Sequence, residues 1–437
     1  MCRNHRMFVQ ASRAAVMSGA DVYYLSTEYS ASELSLVVER TGIKALVYDG
    51  EFAEPAQSLP LAHSLVAWPS GDIKSSIDEL LQGDYETPQD VAVGQQILFT
   101  SGTEGVPKAA ARSRLASREG IVAFLSRIPI GRGGTTVCAV PLYHAWGLVH
   151  LRLGLELGTR LVLPLTADPY AILEAIKAYR PRVIATTPTI LQSIARVVAR
   201  SGAGIPETAL DDLRVIAVAG SALPPGLVED AGAVFGDRLY CIYGSTEAGW
   251  ISAATPDDLR KDPQTAGLPF TGVAAVIADS TGQASAAGTV GRICVQSDVA
   301  TDGPDRGSSG LIDTGDLGYF DQSGRLFVVG RADDMLVVGG ENVYPAEIER
   351  ALINSPDVAD AAVVGEPDPH FGQVPVAYVV RAAGTGNVSA QELRSWLQGR
   401  IAYSKVPREI VFINRLPRNP TGKVLKNELG DLASRAP

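Results

Sequence analysis

The chain has 437 residues, 46% hydrophobic and 20% charged, and its 38 Lys and Arg against 48 Asp and Glu leave a net charge of −10. That length predicts about three folded units, and the acidic balance argues against a nucleic-acid partner. Four scattered cysteines, Cys2, Cys138, Cys241 and Cys294, argue against a disulfide scaffold or a paired-cysteine zinc site and for a reducing compartment.

The elements alternate from the start. Phe8–Met17 reads as a helix, Val22–Leu25 as a strand, Ser32–Glu39 as a helix and Ala45–Tyr48 as a strand. Gln10 and Arg13 interrupt what a signal peptide would need as an apolar core. Further strands are expected at Gln96–Thr100, Val137–Val140, Arg160–Leu163, Val183–Ala185 and Val215–Val218, with helices at Tyr170–Tyr179 and Ile190–Ala199. Such alternation predicts a doubly wound α/β sheet with parallel strands. The chain opens on a crossover helix with no strand before it, so the first domain is expected to be incomplete at its start, with an uncovered sheet edge. The most apolar long window, Trp146–Leu165, holds His150, Arg152, Glu156 and Arg160 and is too polar for a transmembrane segment. A cytoplasmic protein is expected.

From about Gly267 the pattern becomes short strands and Gly-rich turns (Ala274–Ile277, Arg292–Gln296, Gly318–Phe320, Arg325–Val329), predicting a small β-barrel or meander with a hairpin turn at Ser323-Gly324. After Asp334 a compact α+β module is expected: helix Pro345–Ile353, strands Val358–Val364 and Val376–Arg381, and a helix over Ser389–Ile401 capped by Ser389. The predicted domains are therefore 1–333 and 334–437.

Four segments carry chemistry. Thr100-Ser101-Gly102-Thr103-Glu104-Gly105-Val106-Pro107-Lys108 follows a strand; its glycines, hydroxyls and Lys108 suit phosphate oxygens, although Ala109 denies it the hydroxyl of a Walker loop. Tyr243-Gly244-Ser245-Thr246-Glu247 offers a ring, hydroxyls and a carboxylate of the kind magnesium takes beside substrate phosphates; alone it also reads as a helix start. The third comprises Asp313-Thr314-Gly315-Asp316, Gly330-Arg331-Ala332-Asp333-Asp334, Gly339-Gly340-Glu341-Asn342 and Pro345-Ala346-Glu347-Ile348-Glu349. The fourth is Pro417-Arg418-Asn419-Pro420-Thr421-Gly422-Lys423.

In this order and spacing the segments resemble the adenylate-forming superfamily of acyl-CoA synthetases, peptide-synthetase adenylation domains and beetle luciferases. The likeness runs from the first helix to Lys423. It implies that Thr100, Ser101, Gly102, Thr103, Gly105 and Lys108 grip the pyrophosphate end of ATP. Gly220, Ser221 and Ala222 would lie along adenine with Tyr243 and Gly244, Thr246 would touch the α-phosphate and Glu247 would hold Mg2+. Asp316 and Arg331 would take the ribose, Asp334 would be the hinge, and Lys423 would bridge substrate carboxylate and α-phosphate. Gly339 and Gly340 would line the coenzyme A channel, and His144, in Pro141-Leu142-Tyr143-His144, would gate or orient the acid.

The implied activity is two-step: a carboxylic acid, a fatty acid by mild preference, becomes an acyl-adenylate at the expense of ATP and then passes to coenzyme A. Loading of a carrier protein, or nucleotide binding with impaired catalysis, are the alternatives. The second is prompted by the short N-terminus and by Glu104, which stands where relatives carry Thr and would repel phosphate. Trp146, Trp250 and Ile184–Pro188 are candidate linings of an apolar acid pocket. A homodimer is compatible with this reading.

Overall fold

The computed structural model describes residues 1–84, 91–100, 108–112, 118–201, 204–224, 226–279, 281–297, 300, 310–382, 388–419 and 422–430. The chain divides into two compact units: residues 1–219, 244–250 and 297–305, and residues 220–243, 251–296 and 306–437.

In the first unit, strands Thr135–Cys138, Arg160–Val162, Val183–Thr186 and Val215–Ala219 are parallel, with Thr135–Cys138 between Arg160–Val162 and Val183–Thr186. Val183–Thr186 and Val215–Ala219 are buried along their whole length, the uninterrupted apolar pattern of strands covered on both faces. Helices Ala145–Leu157, Pro169–Tyr179 and Pro188–Ser201 make the crossovers. Pro169–Tyr179 starts where Asp168 accepts the Ala171 amide and Pro169 fills the first helical position. The Ala145–Leu157 helix packs tightly: a methyl group on Gly154 would sit 2.8 Å from the Leu161 side chain. No described helix is long and apolar enough to cross a membrane.

Val22–Tyr24 pairs in parallel with Gln96–Thr100, which pairs antiparallel with Lys108–Arg112. Ala45–Asp49 and His63–Trp68 form a parallel pair. Along Ala45–Asp49 the Met1 amine donates to the Val47 carbonyl (2.7 Å), the Asp49 amide to the Met1 carbonyl (3.1 Å), and the Arg3 amide to Asp49 Oδ2 (2.7 Å). His5, the N-cap of helix Arg6–Met17, accepts the Phe8 amide at Nδ1, so its Nε2 carries the proton shared with Asp49 Oδ1 at 2.8 Å. Cys2 Sγ donates to the Val47 carbonyl, and burial pushes that thiol up to about 12. Cys2, His5 and Asp49 thus form a buried hydrogen-bond network whose imidazole has no lone pair left for a metal.

The second unit contains the expected meander, with Ala274–Ala278, Gly291–Gln296, Ile312–Phe320, Leu326–Arg331 and Thr265–Pro269 antiparallel in that order. Asp321 Oδ1 accepts the Ser323 and Arg325 amides and Gly324 takes φ +79°, closing the Ser323-Gly324 hairpin. Its α+β portion is a five-stranded sheet of Glu341–Val343, Leu336–Val338, Gly372–Arg381, Val358–Asp368 and Glu409–Phe412. Helices Pro345–Ile353 and Ala390–Gln398 pack on one face, burying Ile348, Leu352, Leu393 and Leu397 with Val363 and Val379. Ser389 caps the latter helix through a reciprocal capping box with Glu392. On the other face Leu416 and Leu429 close over Tyr378 and Val376.

Strands Val358–Asp368, Gly372–Arg381 and Ile312–Phe320 run longer than expected. Their extra residues include Gly365, Pro367, Gly372, Pro375, Asp313 and Gly315, which propensity disfavours but a partner strand accommodates.

Candidate active site

In the second unit, antiparallel pairing sets Asp316 directly opposite Arg331. Asp316 Oδ2 accepts the Tyr243 hydroxyl at 2.7 Å, and Arg331 Nη1 lies 3.4 Å from Asp316 Oδ1 while donating to the Thr314 carbonyl at 2.9 Å. Thr314, buried, orders both neighbours. Its Oγ1 donates to the Ile293 carbonyl (2.9 Å), accepts the Asp316 amide (3.1 Å) and lies 3.3 Å from the Tyr243 hydroxyl. Gly315 bends the strand at φ +73°, and a methyl group there would meet Arg331 Nη2 at 2.7 Å. Arg331 also pairs with Asp333 at 3.2 Å.

Burial pushes the Asp316 carboxyl up, opposed by the Tyr243 hydroxyl, the Arg331 guanidinium and the Lys423 ammonium. The Tyr243 hydroxyl is held up by burial first and then by the Asp316 charge. Lys423 is exposed, with its amide on Asn419 Oδ1 at 2.9 Å, and its charge bears on both Asp316 and Asp333. Tyr243, Asp316 and Arg331 thus form one bonded group, and the charge of Lys423, 180 residues on from Tyr243, bears on its carboxylate.

Gly339 and Gly340, at φ +58° and +88°, form a two-residue turn between Leu336–Val338 and Glu341–Val343, the backbone a primed hairpin turn needs. Nothing lies within 4 Å of where a Gly340 side chain would start. Asp334 sits between strands Leu326–Arg331 and Leu336–Val338, with Oδ2 3.2 Å from Lys426 Nζ. Gly220 (φ +106°), Ser221 and Ala222 are exposed after strand Val215–Ala219.

In the first unit, Thr246 and Glu247 are half-buried in a tight turn, so the helix start that the segment also allowed is replaced by a strand end and a turn. Gly244 permits it: any side chain would strike the Gly249 carbonyl at 2.2 Å. His144 caps helix Ala145–Leu157 by position only, and its buried Nε2 has no hydrogen-bond partner among the described residues. Burial lowers its pKa to about 4. Asn4 fixes the chain just before it, donating to the Val140 carbonyl (2.7 Å) and accepting the Leu142 amide (2.8 Å). Trp146 and Trp250 both pack on Phe124, with ring centroids at 6.3 and 5.1 Å, and Trp146 Nε1 donates to the Thr186 carbonyl. These side chains form one apolar cluster.

Ser101, Gly102, Thr103, Glu104 and Gly105 lie outside the described residues. Thr100 ends one strand and Lys108 begins the next.

A family model of the AMP-binding enzymes matches residues 1–303, and one of the AMP-binding enzyme C-terminal domain matches residues 347–423. The chain belongs to the AMP-binding enzyme family. It is 30% identical to a fatty acid–[acyl-carrier-protein] ligase of Streptomyces coeruleorubidus, over 95% of this chain and 82% of that protein. It is 32% identical to a 3-[(3aS,4S,7aS)-7a-methyl-1,5-dioxo-octahydro-1H-inden-4-yl]propanoyl:CoA ligase of Mycobacterium tuberculosis, over 97% and 86%. Among solved structures, an o-succinylbenzoate CoA synthetase of Bacillus subtilis in complex with its acyl-adenylate intermediate superimposes with TM-score 0.84 at 27% identity, over 98% of this chain and 86% of that one. An amide bond synthetase of Marinactinospora thermotolerans gives 0.86 at 27%, over 99% and 89%.

The AMP-binding fold was expected from the motifs. Asn4, the anchoring role of Thr314, and Lys426 were not. Asn4 and Lys426 carry no motif signal, because their partners are distant in sequence.

Proposed function

We propose that this protein is an ATP-dependent acyl-CoA synthetase that converts an apolar carboxylic acid to its acyl-adenylate and then to its coenzyme A thioester. The supporting observation is that the Lys423 charge falls on the same Asp316 that Tyr243 and Arg331 hold. A carboxylate attacking an anionic phosphorus needs charge neutralisation and alignment more than proton transfer. In this reading the paired Asp316 and Arg331 take the ribose, the Tyr243 ring packs on adenine, and Lys423 bridges the acid's carboxylate and the α-phosphate. Thr246 donates to that phosphate and Lys108 neutralises its pyrophosphate end. His144, neutral at its buried Nε2, orients the acid against the wall of Phe124, Trp146 and Trp250.

A single half-buried carboxylate, Glu247, beside a hydroxyl is a donor set that suits magnesium, which keeps most of its other ligands from water and phosphate. Bound there, magnesium would offset charge on the phosphate oxygens. Residues 334–437 then form a tail module turning about Asp334, which takes Lys423 away after the first step and brings the Gly339-Gly340 turn to line the path of the thiol.

The test is pyrophosphate exchange with a panel of fatty and ring-bearing acids, followed by mass-spectrometric detection of the thioester. Adenylate without thioester on coenzyme A would favour a carrier-protein acceptor, as in the Streptomyces coeruleorubidus relative. ATP binding without exchange would overturn the reading. Lys423→Ala should depress adenylate formation far more than thioester formation from supplied acyl-adenylate; equal losses would refute its one-step role.

A further inference from the structure

The segment that carries Lys423 is nearly free of regular structure, and three kinds of contact hold it. Leu416 and Leu429 pin its two ends into the core around Tyr378. Between them it folds on itself: the Asn419 amide donates to the Lys423 carbonyl at 2.9 Å, the Leu425 amide to the Pro417 carbonyl at 2.9 Å, and Arg418 bridges Val424. Among the described residues, two charged side chains then tie it to the rest of the module. Arg418 Nη2 reaches Asp360 Oδ2 at 2.7 Å, and Lys426 Nζ lies 3.1 Å from Glu349 Oε1 and 3.2 Å from Asp334 Oδ2.

These pairs are not equivalent. Asp360 is in the sheet, and Glu349 is on helix Pro345–Ile353 with Oε1 also accepting the Val363 amide at 2.8 Å. Both belong to the body of the tail module and travel with it. Asp334 is the residue about which the module turns if the protein is such a synthetase, and the Lys426–Asp334 contact runs from the lysine-bearing segment to that pivot. Burial disfavours the Lys426 ammonium, yet Glu349 and Asp334 together more than offset that and favour its charged form.

We propose that Lys426 is a positioning residue for Lys423. Held between Glu349 and the pivot carboxylate of Asp334, it fixes the lysine-bearing segment in the arrangement that presents Lys423 to the nucleotide. Its contact with Asp334 must open before the module turns for thioester formation. This rests on the acyl-CoA synthetase reading. In the structure, the clasp is closed while the Lys423 charge bears on Asp316 and Asp333, as expected of a contact that belongs to the first half-reaction.

The experiment uses the full chain with ATP, magnesium and the best acid from the panel. Pyrophosphate exchange and thioester formation from supplied acyl-adenylate are measured separately. Lys426→Met should lower exchange by about tenfold or more while thioester formation changes by less than about twofold. Lys426→Arg should restore exchange, since a guanidinium spans both carboxylates. Asp334→Asn should lower exchange by less than Lys426→Met, because Glu349 still holds the ammonium. Equal losses in both halves with a lowered melting temperature would reduce Lys426 to a brace of the fold, and an unchanged ratio between the halves would overturn the proposal outright. A wild-type protein that makes neither adenylate nor thioester would remove the synthetase reading and this one with it; an active wild type with an unaltered Lys426→Met ratio removes this one alone.

Discussion

Gly315→Ala tests whether the strand bend and the ribose site are one construction. At φ +73° an alanine is strained by about 1–2 kcal/mol. Its methyl group would lie 2.7 Å from Arg331 Nη2, 2.9 Å from Nη1 and 3.0 Å from Cζ, too close to stay, so the guanidinium has to move. Moving it weakens a charge-assisted bond to the Thr314 carbonyl (2.9 Å) and the pairing with Asp316 (3.4 Å), worth about another 1–2 kcal/mol together. Stability to denaturant should therefore fall by about 2–4 kcal/mol, and affinity for AMP by about tenfold, the worth of one such contact. Gly340→Ala is the control: φ is +88° but no atom lies within 4 Å, so it should show only the backbone strain and keep its AMP affinity. Equilibrium denaturation and calorimetric titration with AMP measure both. If Gly315→Ala were no less stable than Gly340→Ala and bound AMP as the wild type does, the coupling of bend to guanidinium would be refuted.

Burial raises the Asp316 carboxyl, so above that raised value the charged group costs stability, while at low pH the penalty is absent; Asp316→Asn should stabilise the protein near neutral pH, lose that advantage in acid, and bind AMP more weakly. Denaturation curves at several pH values check it, and a variant destabilised at pH 7 would show that Arg331 depends on the carboxylate. His144 and His150 are buried neutral, their pKa values lowered to about 4 and about 3. The unfolded chain takes up those protons first, so stability should fall as pH drops from about 6.5, by about 1.4 kcal/mol per pH unit for each group; His150→Phe should make the slope shallower, and an unchanged slope would count against its burial as a neutral imidazole. The Tyr378 hydroxyl is buried without a partner among the described residues, so Tyr378→Phe should leave stability unchanged or raise it by about 1 kcal/mol. A clear loss would reveal a bond to water.

Short-range order was legible in the sequence wherever one residue's chemistry fixes the backbone. The cap at Ser389, the Ser323-Gly324 turn and the apolar runs of the parallel strands needed no knowledge of neighbours. Motif order also determined the family, because the Asp313–Asp316, Gly330–Asp334 and Gly422-Lys423 segments keep their spacing regardless of how the chain folds between them. What tertiary structure decided was pairing at long range. Only strand register sets Asp316 opposite Arg331, only packing around Tyr378 suspends the Lys423 segment, and only folding brings Lys426 to Asp334 or Asn4 to Val140. Each of these contacts joins residues with no local preference for one another. Their energy lies in charge, hydrogen bonding and apolar packing that form once the sheets have buried the intervening chain, so periodicity and spacing carry no trace of them.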